Sequence, residues 1–324
     1  MEMKTKRILQ YALSLAASWA WGVSLIVGMQ TVREKGVIPF AIWATANSLA
    51  LPLFGLIAFR IKKLHEVVNY KVVQVFTTAV MVFCLWIQMN SIHDKLLETG
   101  EVTGTFALVF TIAVAIFLDF ALYRDGLIRN ILMDSALWIV CYVILLIMVF
   151  YGVLRHVSSI EMVAYHSDGD LKWAYGTILI LFAGPIMNIQ NWQMAEKLQK
   201  ENVLEISHVV AGLIFAVYMV LVYVLAHFQF NHFMELIQIG AILCITLTTM
   251  DASIVGMQKI AGAKVGFIIA LLSIVFWRYV IPMGVLDLWT FMGNRRREAA
   301  ILCIIWAIVL EYREKKGLKR NDRV

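Results

Sequence analysis

Apolar stretches of roughly 18–25 residues recur along this chain, each the length needed to cross a ~30 Å hydrocarbon core. Ten can be read, at about 9–30, 37–59, 71–90, 105–123, 131–153, 171–190, 206–228, 235–257, 265–282 and 285–311. The longest polar gaps, 91–104, 154–170 and 191–205, leave no room for a soluble domain. The pattern predicts an all-α membrane protein with ten transmembrane helices, residues 1–324 forming a single polytopic domain. Two of the ten are interrupted. SLAASWAWGVSLIVGMQTVREKG (Ser14 to Gly36) contains Gly22 and Gly28, and YGTILILFAGPIMNIQNWQMAEKLQK (Tyr175 to Lys200) contains Gly184-Pro185. Broken helices persist in a bilayer only where their freed backbone groups find partners or line a cavity. Two of them at matching places in two halves point to an inverted-repeat transporter and its binding site. The expected repeats are about 9–153 and about 171–311, with the breaks at Gly22 or Gly28 and at Gly184-Pro185.

Composition agrees: 61% of residues are hydrophobic, 15% are charged, and the mean hydropathy is +0.79. The net charge of +6 would suggest nucleic acid for a soluble chain, but its distribution follows membrane topology. Basic residues gather at 4–7, 60–71, 124–129, 197–200, 259–264 and 313–323, which are alternate connecting segments. By the positive-inside rule both termini are cytoplasmic, which requires an even number of spans. The acidic segment IHDKLLETGEVTG then falls outside. Lys4, Lys6 and Arg7 before an apolar run resemble a secretory leader. The run continues to Gln30, so it is read as a first span. Cys84, Cys141, Cys244 and Cys303 lie in spans without CxxC spacing and read as buried small hydrophobes. Residues 191–205 read as a short amphipathic helix burying Trp192, Met194, Leu198 and Val203.

Few polar groups interrupt the apolar sequence. The small-residue stripes Ala12-Ala16-Ala20 and Ser14-Ser18-Gly22 allow close helix approach. In ITLTTMDASIVGMQK, Thr248 and Thr249 either offer hydroxyls to a hard cation or bond back to their own helix. Intramembrane acids mark function by default. Asp119, Asp134 and Asp251 qualify, although the first two are expected to pair with Arg124 and Arg129 at the inner headgroup level. Arg295, Arg296 and Arg297 are expected in an outer loop or a water-filled outer vestibule. Phosphate loops, nucleophile elbows and Ser-His-Asp arrangements are absent from the sequence, so no enzyme is expected.

Three segments taken together resemble the sodium/solute symporter family of the amino acid–polyamine–organocation superfamily. TTMDAS is similar to that family's Ser-Thr-x-Asp-Ser signature in its eighth core helix. GPIMNIQNWQMAEK resembles the end of its sixth core helix, and VLDLWTFMGNRRREAAI its tenth. SWAWGVSLIVGMQ is compatible with the first. The resemblance implies the leucine-transporter-type five-plus-five inverted repeat with broken helices 1 and 6, here in a minimal ten-helix form. It also implies a sodium-coupled symporter of a small organic solute in the plasma membrane. Na+ would be held by the Thr248 and Thr249 hydroxyls and the carbonyls of Ala16, Trp19 and Ile245. Solute would lie near Ser18, Trp21, Gly22, Asn188 and Gln190. Met194 and Ala252 replace an arginine and a serine of the family pattern, which weakens the case for retained sodium coupling. Two alternatives stay open: proton coupling through Asp251 or Asp134, and a transport-inactive receptor or modulator on the same fold. The partners expected are the lipid bilayer and the solute, with no nucleic acid.

Overall fold

The computed structural model describes residues 2–123, 126–155, 167–280 and 284–316, and 89% of the structure is helix. Among the described residues there is no strand. In chain order the helices are α1 (Glu2–Trp19), α2 (Gly22–Lys35), α3 (Val37–Ile57), α4 (Leu64–Val68) and α5 (Lys71–Glu98). There follow α6 (Gly104–Leu122), α7 (Gly126–Leu154), α8 (Asp168–Ile186) and α9 (Ile189–Lys200). The last four are α10 (Leu204–Ala226), α11 (His232–Ala261), α12 (Ala263–Val280) and α13 (Val285–Lys315). Arg124 of the sequence analysis lies outside the described residues.

Six of these, α3, α5, α6, α7, α10 and α11, are long and apolar enough to cross a membrane. The pairs α1–α2 and α8–α9 qualify as bent spans, making eight. This is a multi-pass membrane protein. The expected ten spans need α12 and α13 as well, and these are not among the helices that qualify; α13 carries Asp287 and the charged run Arg295 to Glu298.

Side-chain placement is inverted relative to a soluble domain. Phe117, Phe150 and Leu302 stand 74%, 68% and 67% exposed, while Asp119, Asp134 and Asp251 are fully buried. Hydrocarbon tolerates the former and excludes the latter. At the centre α5 packs along α11; α1 lies against α10, α7 and α11, and α8 lies against α3 and α13.

Both expected interruptions are present. The α1 and α2 axes differ by 67° across Ala20-Trp21, and the α8 and α9 axes by 60° across Met187-Asn188. The first break comes where Trp21 takes extended backbone (φ −82°, ψ 150°) before Gly22 opens α2. A Cβ on Gly22 would stand 2.2 Å from Thr246 Cγ2, so only glycine lets α2 begin this close to α11. Gly28 stays helical within α2. The second break falls two residues beyond Gly184-Pro185. Pro185 removes a backbone donor, but the chain turns where Asn188 can cap the next helix, its Oδ1 accepting the Gln190 N–H at 3.0 Å. The apolar face expected for 191–205 is buried at Trp192, Met194, Leu198 and Val203.

Candidate functional site

A broken helix leaves carbonyls without i+4 donors, and in a membrane interior these need partners from elsewhere. At the α8 break the Gly184 carbonyl accepts from the Arg296 guanidinium. The Ile186 carbonyl accepts the Trp192 indole N–H at 2.8 Å, and that of Pro185 accepts the Asn188 N–H at 3.3 Å. At the α1 break the partners are the threonines of α11. Thr248 Oγ1 lies 3.0 Å from the Ala17 carbonyl and 2.8 Å from that of Ile245. Thr249 Oγ1 lies 3.2 Å from the Ala20 carbonyl and 3.3 Å from the same Ile245 oxygen. Thr246 bonds only within its own helix, to Ile242 and Leu243. The two threonines therefore do both things the sequence allowed, bonding back along α11 and across to α1.

Each hydroxyl has one proton to donate, yet two hydroxyls and three carbonyls crowd together with oxygen separations of 2.8–3.3 Å. Ligands around a cation with bonds of about 2.4 Å in octahedral array stand roughly 3.4 Å apart. The four hydroxyl–carbonyl separations are those of hydrogen bonds and fall a little short of that spacing. The α1 carbonyls are those of Ala17 and Ala20, one residue on from the expected Ala16 and Trp19. One residue turns a helix through about 100°, and small-residue spacing does not settle which carbonyls face α11. The Ala16 carbonyl accepts the Ala20 N–H at 2.9 Å, and Trp19 donates its indole N–H to the Asn47 carbonyl at 3.0 Å. Among the described residues no group of three or more His, Cys, Asp or Glu could hold a metal.

The acids form a second cluster. Ser14 Oγ, on the turn of α1 preceding Ala17, donates to Asp134 Oδ2 at 2.8 Å. Asp134 and Asp251 are close neighbours, with Asn130 beside Asp251. Gln190 donates from α9 to Asn130 Oδ1. Among the described residues the other oxygen of Asp134 and both of Asp251 have no donor. Asp134 is thus a buried interior group, while Arg124, one of the arginines expected beside it, lies outside the described residues. Asp119 is equally buried, with no donor at either oxygen.

The residues expected around solute separate. Trp21 lines a cavity with Trp19, Trp43, Asn47, Trp289 and Arg296. Gly22 is at the break, its N–H donated to Gln88 Oε1 at 3.0 Å. Ser18 is buried and bonds to its own helix at the Leu15 carbonyl, 3.2 Å away. Asn188 and Gln190 serve the α9 cap and the acid cluster.

Arg296 escaped the sequence reading, which kept the three arginines together. It is 5% exposed, with its guanidinium 5.3 Å over the Trp21 ring. Arg295 is exposed and pairs with Glu298 at 2.6 Å. Helical spacing carried the signal: Trp289, Met292, Gly293, Arg296, Ala300, Cys303 and Ala307 make one buried stripe of α13.

Compared with models of known families and with curated proteins, the chain gives no match.

Proposed function

We propose that this protein is a secondary transporter that moves a small organic solute across the plasma membrane, coupled to sodium, by alternating access. What carries the reading is the oxygen cluster at the α1 break, joining a broken helix to α11 through neutral oxygens. An ion there would tie α1 to α11 and bias the equilibrium between outward- and inward-facing forms. By linkage, solute would raise sodium affinity as much as sodium raises solute affinity.

The helix contacts support an inverted repeat of five plus five spans, with α12 and α13 as the ninth and tenth; the charge distribution supports cytoplasmic placement of both termini. Matching α1–α2 with α8–α9, α3 with α10, α5 with α11, α6 with α12 and α7 with α13 exchanges one set of contacts for another. The pairs α1–α10, α1–α7, α5–α6 and α7–α11 have as counterparts α8–α3, α8–α13, α11–α12 and α13–α5, all of them in contact.

The test is uptake of a solute panel into proteoliposomes, with and without an inward sodium gradient. Sodium-dependent uptake that disappears in Thr248→Ala/Thr249→Ala supports the reading; uptake indifferent to sodium contradicts it.

A second reading, proton coupling, is favoured by the Asp134–Asp251 pair. A single proton shared between the two carboxylates would bridge one oxygen of each and remove one of the two buried charges. Uptake driven by a pH gradient without sodium, and lost in both Asp134→Asn and Asp251→Asn, would put it first.

A further inference from the structure

We infer that the cavity between the two broken helices binds the carboxylate of a monoanionic solute with an apolar body, through Arg296 and Trp43. The inference deepens the transporter reading by naming a solute class, and it rests on that reading only for the claim that the bound molecule is transported.

Arg296 is a buried cation, and among the described residues no carboxylate lies within ion-pair distance of it. Its guanidinium meets the Gly184 carbonyl, the Met292 sulfur and the Trp21 ring, all of them neutral. Its Nε has no acceptor among the described residues. Trp43, which lines the same cavity, has its indole Nε1 likewise buried without an acceptor among the described residues. Orphaned buried donors are uncommon, and each calls for a partner. One anion would satisfy both donors and balance the charge.

Among the described residues Arg296 is the one cationic group lining the cavity, so a monoanion neutralises it where a phosphate dianion would leave excess charge. The planar fork of a guanidinium matches a carboxylate. Trp19, Trp21, Trp43 and Trp289 offer ring faces and edges to an apolar body. Glycine lets Trp19 and Arg296 approach α8 closely, since a Cβ on Gly184 would stand 2.5 Å from the Trp19 ring and 3.1 Å from Arg296. At about 30 Å3 the cavity admits a carboxylate-sized group. A larger solute requires α2, α8 and α13 to part, as the opening step of alternating access would have them do.

The experiment uses the full chain in lipid nanodiscs and reads tryptophan fluorescence against four probes: acetate, benzoate, benzamide and benzylamine. Expected is saturable quenching by the carboxylates, with benzoate at least tenfold tighter than neutral benzamide or cationic benzylamine. Arg296→Gln should remove that preference, and Arg296→Lys should retain part of it. If Arg296→Gln does not fold, benzoate protection of Arg296 in the wild type against an arginine-specific dicarbonyl, read by mass spectrometry, gives the same answer. Equal binding of benzoate and benzamide, retention of the preference in Arg296→Gln, or no protection would overturn the inference. Carboxylate binding without uptake of any solute would uphold the site while rejecting transport.

Discussion

Individual residues divide by whether chemistry or only proximity singles them out. Thr248 and Thr249 were legible because two hydroxyls in an apolar span have few uses. The Ala17 and Ala20 carbonyls were not, since backbone groups carry no sequence signature and their direction depends on where the helix stops. Gly22, read in the sequence as part of a solute site, has a steric role in the structure as well. Gly22→Ala sets a methyl against Thr246 Cγ2, held by the Thr246 hydroxyl bond to the Ile242 carbonyl at 2.7 Å. Overpacking of this kind costs about 1–3 kcal/mol. Expected is a lower thermal midpoint in detergent, partly restored in Gly22→Ala/Thr246→Ser, which deletes the opposing methyl. A double mutant no more stable than Gly22→Ala would show that the contact is not what requires glycine.

Among elements, the presence of two breaks was readable from glycine and proline in apolar runs, but their positions were not. Proline removes a donor at one point, whereas the chain turns where a side chain can cap the next helix, as Asn188 does. What keeps the second break open is the set of donors on its carbonyls, so Trp192→Phe is informative. It retains the apolar packing against Phe54, whose ring centroid is 5.0 Å away, but strips the Ile186 carbonyl of its 2.8 Å bond. An unsatisfied buried acceptor costs roughly 1–3 kcal/mol. Trp192→Phe should therefore lower the thermal midpoint more than Trp173→Phe, at a half-buried position of α8. Equal effects would mean that the indole bond contributes nothing to the break.

For the whole molecule, apolar run lengths gave a multi-pass helical protein, and that survives. The number of spans was less legible, because α13 carries Asp287 and the charged run Arg295 to Glu298 in its first half and exposed apolar Leu302 and Ile305 in its second. The repeat hypothesis predicts opposite faces for the two halves' matching ends. A cysteine at Lys35, ending α2, should react with an impermeant reagent from outside, and one at Lys200, ending α9, from inside. Labelling of both from the same side would contradict the inverted arrangement.

The central claim is that a cation sits where α1 breaks against α11. Equilibrium binding of radiolabelled sodium to the purified protein tests it most directly. The account predicts saturable binding that is lost in Thr248→Ala/Thr249→Ala and kept in Thr246→Ala, whose hydroxyl bonds only within its helix. No saturable sodium binding by the wild type, or equal binding by Thr248→Ala/Thr249→Ala, would contradict it.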